Sequence, residues 1–178
     1  MKYFQLRSGQ TLIIRRAERE DAASIIDYIN TICKESENLT FGEGEFGITA
    51  DKEAEFIESI SKSDNQLMIC AFLADQLVGQ LVFTGGHRPR IKHTGEFSIT
   101  VLKEYWGLGI GTELIKYMIH WAKETRIIRK INLRVRSDNR VAIGLYKSLN
   151  FIFEGTSTRE FFIDGKFHDS IHMGMEID

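Results

Sequence analysis

Three glycines at alternate positions, Gly107, Gly109 and Gly111, constrain this chain more than any other stretch. Ahead of them Phe97, Ile99 and Val101 alternate with polar residues, the period of a half-buried strand. Behind them Ile110, Leu114, Met118 and Trp121 recur at the spacing of one helix face. The chain must pass from strand to helix through a turn with few Cβ atoms, where the backbone bends tightly and a ligand can approach its N–H groups. Those groups lie at the positive end of the helix dipole, a setting that suits a phosphate or pyrophosphate. Two common cradles are excluded by spacing. A G-x-x-x-x-G-K-[ST] loop needs a lysine that follows none of these glycines, and a G-x-G-x-x-G fingerprint needs glycine at Thr112 or at Leu114. On this segment alone two readings stand, an anion cradle or a plain turn closing a strand onto a helix.

With 178 residues and 43% apolar content, the chain is expected to form one domain, 1–178, around a proper core. A formal net charge of −2 leaves no basic excess for general nucleic-acid binding. No apolar run approaches the roughly 18 residues of a membrane span. Arg7, Arg15 and Arg16 interrupt the N-terminal segment, which does not read as a signal peptide. Cys33 and Cys70 make no disulfide framework, and Cys70 sits in the apolar run 67–73 as a small hydrophobe. A reducing, cytoplasmic setting is the expectation.

Taken in order, 11–15 reads as a strand and 17–21 opens a helix whose stripe is Ala22, Ile25, Ile26, Ile29, Ile32 and Cys33. From 35 to 47, Glu35, Glu37, Glu43 and Glu45 are scattered among glycines, so this is a loop. It either borders an acceptor pocket and draws in cations or is a solvated connection, although Phe41 and Phe46 must bury against something. A second helix over 51–62 turns Phe56, Ile57 and Ile60 inward. Strands at 67–73 and 77–83 form a hairpin, and His87, Arg88, Arg90, Lys92 and His93 mark an exposed basic turn, one of them a minority candidate for touching substrate. The unit 95–102, 109–126, 130–136 should be a right-handed parallel crossover. Ser137 and Asp138 are expected to cap a helix from Asn139 to Leu149, with Asn150 ending it in the left-handed conformation. Segments 151–155 and 158–163 lead to the Asp164-Gly165 turn and a last strand, 166–177.

The run from Val101 to Gly111 resembles V-x-x-x-x-[RQ]-x-x-G-x-G, the pyrophosphate loop of the GCN5-related N-acetyltransferase (GNAT) family, with Trp106 in place of Arg or Gln. Asn139 to Phe151 resembles that family's N-x-x-A-x-x-L-Y-x-x-x-G-F signature, with Asn150 for the glycine. The opening I-R-R-A-x-x-x-D-A and the basic turn ahead of the central strand are similar to GNAT members of the ribosomal-protein and small-amine branch. The resemblance implies an α/β fold. Its sheet would be mixed and mostly antiparallel, of about seven strands flanked by about four helices, the parallel crossover forming a coenzyme A cleft.

It also implies an acetyl-CoA-dependent N-acetyltransferase acting on a primary amine, with acetyl-CoA as co-substrate. Ile99, Thr100, Val101, Trp106, Gly107, Leu108, Gly109, Ile110, Gly111, Thr112, Asn139 and Tyr146 would contact it. Asn139 and Tyr146 lie two helical turns apart, about 10 Å along the axis, a span comparable to part of a pantetheine arm. Tyr146, a phenol with pKa near about 10, would protonate the leaving thiolate, unless it is a half-buried core residue. A backbone N–H within 99–101, from Ile99 to Val101, would hold the oxyanion. Glu96, pointing opposite to Phe97, Ile99 and Val101, is the candidate base, or else an edge acid. No metal is expected, since His120 with Glu124 and His168 with His172 lack a third convergent ligand. The expected partners are acetyl-CoA and an amine acceptor, with no nucleic acid and no membrane; the last hairpin is a candidate homodimer interface. The rival is an acyl-CoA-binding sensor on the same fold.

Overall fold

The computed structural model describes residues 1–6 and 9–178; Arg7, one of the N-terminal charges noted above, lies outside the described residues. In chain order the elements are β1 (Lys2–Gln5), β2 (Thr11–Arg16), α1 (Ala22–Glu35), α2 (Ala50–Ser61), β3 (Gln66–Leu73) and β4 (Gln76–Gly85). They continue with β5 (Thr94–Val101), α3 (Ile110–Thr125), β6 (Lys130–Arg136), α4 (Arg140–Ser148), β7 (Ile152–Ile163) and β8 (Lys166–Glu176). The strands make one sheet in the order β1-β2-β3-β4-β5-β6-β8-β7. Every pair is antiparallel except β5 with β6.

The sheet has eight strands rather than about seven. The added one is β1, too short and polar to show a periodicity of its own and formed because Lys2 to Gln5 pairs with Ile14 to Thr11. Segments 151–155 and 158–163 are one strand, β7, continuous through two register shifts, with Arg159 in the left-handed region. Both two-residue hairpin turns are built from left-handed pairs, Ala74 with Asp75 and Asp164 with Gly165, the twist that antiparallel neighbours favour.

Alternation along β4 and β5 sends successive side chains to opposite faces. On one face, a Cβ at Gly79 would meet Ile110 and Leu114 at 3.2 Å, and Phe83 stacks edge-on against Trp121 of α3. On the other, Thr100 pairs in register with Gln80, and its hydroxyl accepts a hydrogen bond from Tyr28 of α1 at 2.9 Å. Helix α3 thus backs one side of the central strands while α1 and α2 cover the other. In α2 the buried stripe is Glu53, Ala54, Ile57 and Ile60; Phe56 does not turn inward but is exposed, about 100° around the helix from Ile57. Phe41 and Phe46 pack on one another at 5.2 Å.

The parallel pairing of β5 with β6 is short. It runs Thr94↔Lys130, Gly95↔Ile131 and Glu96↔Asn132, and there the two strands part. The rest of β5 and β6 form the banks of a cleft.

Candidate active site

The glycine loop lies at the head of that cleft. After β5 the chain makes a 3-10 turn at Lys103–Tyr105 and an extended residue at Trp106, then enters α3. Gly107 (φ 77°) and Gly109 (φ 87°) are both left-handed, a region costly for residues with a Cβ. An added Cβ at either would meet nothing within 4 Å, so the space beside them is open. Gly111 has a different setting: a Cβ there would make ordinary contact with Leu145 at 3.4 Å, so this glycine faces α4 and not the open space. The bond from Glu113 N to Gly109 O opens the helix ladder, and among the described residues the amides of 107–112 ahead of it find no carbonyl. Six consecutive donors thus precede the ladder at a helix N-terminus, where backbone N–H groups and the dipole favour an anion. Ile110 gives its side chain to the core, so only its backbone can serve a ligand.

The phase of the β4–β5 ladder determines what β5 offers the cleft. Opposite residues of an antiparallel pair alternate between exchanging hydrogen bonds and pointing away from one another. Leu102 N bonds Val78 O at 3.0 Å and Gly86 N bonds Thr94 O at 2.9 Å, so the even-numbered residues of β5 bond to β4. Ile99 and Val101 therefore present their N–H and C=O groups to the open side, whereas the backbone of Thr100 is committed to Gln80. The family resemblance had grouped these three; the ladder separates Thr100 from the other two. The Val101 carbonyl is also engaged, accepting the indole N–H of Trp106 at 2.7 Å.

Helix α4 brings up the second motif. Its cap is neither Ser137 nor Asp138 but Asn139, whose Oδ1 accepts from Ala142 N at 3.1 Å. Asp138 is drawn off instead by Arg136, at 2.7 Å. Asn139 thus keeps its Nδ2 amide for other partners. Asn150 ends the helix in the left-handed region, φ 69°, as glycine would. Tyr146 is buried against Phe97 and Phe151, ring centroids 5.9 and 6.1 Å away, and burial pushes its phenol up to about 12. At neutral pH it holds its proton.

Glu96 sits at the last paired position of β5, where the cleft begins. Its Oε1 accepts from Arg134 Nε at 2.8 Å, and Arg134 reaches on to Glu160 at 2.6 Å. Donating to Glu96, whose charge adds to the effect, holds the Arg134 guanidinium above its usual range. Ser170 and then Arg134 hold the Glu160 carboxyl below its own, and His172 bonds Ser157 at 2.6 Å nearby. Sequence reasoning missed this network, although its signal was present: Lys130, Asn132, Arg134 and Arg136 alternate with the buried Ile131, Leu133 and Val135. Arg136, 8% exposed, also donates to the Glu37 carbonyl at 2.8 Å and fastens the acidic loop after α1 to the end of β6. The basic turn 87–93 lies at the opposite end of β5 from the glycine loop, where Lys92 pairs with Asp64 at 2.7 Å. His120 pairs with Glu124 at 3.2 Å and His168 with Asp138 at 3.4 Å, each away from the other histidines.

Residues 31–151 match the family model described as the acetyltransferase (GNAT) family. An N-alpha-acetyltransferase of Sulfurisphaera tokodaii is 41% identical over 180 residues, 93% of this chain and 95% of that protein. The L-amino acid N-acetyltransferase AaaT of Escherichia coli is 31% identical over 108 residues, 61% of this chain; the chain spans 65% of that relative's length. The crystal structure of an acetyltransferase of GNAT family from Streptococcus pneumoniae superposes with a TM-score of 0.91 at 32% identity, covering 94% of this chain and 99% of its own.

Proposed function

This chain belongs to the acetyltransferase (GNAT) family, and on that premise we propose that it moves an acetyl group from acetyl-CoA to a primary amine by direct attack. The observation that carries this reading is the set of uncommitted amides at 107–112, continuous with the open edge of β5. The amides of Gly107, Leu108, Gly109, Ile110, Gly111 and Thr112 hold the pyrophosphate. Ile99 and Val101 align the pantetheine arm along the strand edge, and Asn139 Nδ2 meets it from α4. Trp106 flanks the loop.

The acceptor nitrogen, freed of its extra proton, attacks the thioester carbonyl. An N–H of Ile99 or Val101 receives the oxyanion, a term worth several kcal/mol when preorganised. The carbon–sulfur bond then breaks, Tyr146 gives its proton to the departing thiolate, and the phenolate so formed takes back the proton that the attacking nitrogen must lose to become an amide. Glu96, at the mouth of the cleft, takes the proton from the ammonium. Amino acids, peptide N-termini and polyamines all carry such an amine, and relatives named for L-amino acids, for an N-alpha group and for spermidine support all three. A single-domain protein working in the cytoplasm, with acetyl-CoA and the amine as its partners and no resident metal, completes the reading. The outer edge at β7 is the surface for a homodimer.

A second reading, an acyl-CoA sensor, is favoured by the ion pair that ties Glu96 to Arg134. Purified protein incubated with acetyl-CoA and amino acids, short peptides or polyamines, followed by free-thiol release, separates them. Turnover on any of these supports the transferase. Saturable coenzyme A binding without turnover supports the sensor, and no binding removes both.

A further inference from the structure

Trp106 is 52% exposed, yet its indole N–H is not spent on solvent. It reaches back five residues to the carbonyl of Val101, at 2.7 Å. The ladder phase described above makes that carbonyl one of the polar groups that β5 turns toward the cleft. A strand edge left open exposes unpaired N–H and C=O groups that an incoming amide-bearing chain can pair with. At Val101 the acceptor half of that edge is already taken by a side chain of the glycine loop.

We propose that Trp106 is a latch on the cofactor channel: its indole occupies the Val101 carbonyl in the free protein and gives it up when the amide-bearing arm of coenzyme A enters. This rests on the acetyl-CoA reading above and adds to it a positioning residue particular to this chain. The exchange is chemically balanced, one N–H···O=C bond replaced by another at the same oxygen. It needs little else to move, because the ring is half in solvent and Gly107 follows it directly. The latch has a cost for the ligand. Arm binding must first break a bond whose net worth is modest, so removing the indole N–H while keeping an aromatic ring should tighten binding by roughly two- to tenfold.

The chain's two tryptophans make the test direct, because Trp121 is buried against Phe83 in the core and supplies a constant background. Coenzyme A is titrated into wild-type protein and into Trp106→Phe, with calorimetry for affinity and tryptophan emission for the ring. The expected result is an emission change in the wild type that saturates at the calorimetric Kd, absent from the variant, whose Kd is lower. A 3′-phosphorylated adenosine diphosphate, lacking the arm, should bind both proteins equally. Wild-type binding with unchanged emission overturns the latch, as does a Trp106→Phe Kd equal to or weaker than wild type. Absence of heat with coenzyme A in either protein removes the acetyl-CoA reading itself, and the latch with it.

Discussion

The two halves of the sheet are built differently. From β2 to β4 both faces are roofed, by α1 and α2 on one side and α3 on the other, and Leu67, Met68, Ile69, Cys70 and Ala71 are buried in succession. From β6 to β7 only one face is apolar; the other carries Lys130, Asn132, Arg134, Glu160, Ser170 and His172, and there Glu160 links Arg134, Ser170 and His172. Beyond them Ile152, Phe153 and Phe162 on β7 are exposed. One half concentrates apolar burial and therefore stability. The other keeps its polar groups within reach, and the cleft runs along the boundary between the two.

The largest effect that could break this division is in the roofed half. Phe83, fully buried against Trp121, should cost about 3–5 kcal/mol on truncation to alanine, while Phe162→Ala on the bare half should stay within about 0.5 kcal/mol. Denaturant melts of the two variants measure both, and equal losses would end the distinction. Next comes the boundary itself. Tyr146→Phe keeps the packing against Phe97 and Phe151 but removes the acid, so kcat should fall about 100-fold, roughly 2.7 kcal/mol, with melting nearly unchanged. Steady-state kinetics beside a thermal melt will tell; a kcat equal to wild type would leave Tyr146 a packing residue.

A smaller effect sharpens the stability side. Asp21 sits under α1, its carboxylate bonded to Arg15 at 2.6 and 2.7 Å. Burial alone would raise its pKa, but the Arg15 bonds and the Glu18 N–H outweigh that and bring it below 3.8. A lowered folded-state pKa stabilises above the unfolded value and is lost as pH falls through the folded one. Asp21→Asn should therefore be about 2 kcal/mol less stable than wild type at neutral pH. The gap should close as acid falls below pH 3.8, a comparison read from denaturation midpoints across pH.

What the sequence revealed follows the same line. Periodicity identified the roofed strands, the crossover and the glycine loop because burial on a regular face writes itself into residue spacing. Local backbone chemistry was readable as well, in the left-handed Asn150 and in the Asp164-Gly165 turn. The losses came where a residue's role depends on a distant partner. Asp138 looked like a cap until Arg136 claimed it, and β1 had no signal apart from its pairing with β2. Glu96 could be assigned a face but not its tie to Arg134, 38 residues away. Nor could spacing reveal that Thr100 turns its backbone from the cleft while Ile99 and Val101 turn toward it, since that depends on ladder phase.

The seam between the halves is only three rungs long, Thr94 to Glu96 against Lys130 to Asn132, braced by a side-chain bond between Asn132 and Thr94. A molecule lying across the gap beyond those rungs would act as a further strand between two slabs whose own strand pairing ends there. Such a guest is part of the architecture as much as a reactant. A melting temperature for this protein therefore has meaning only alongside the concentration of whatever fills that gap.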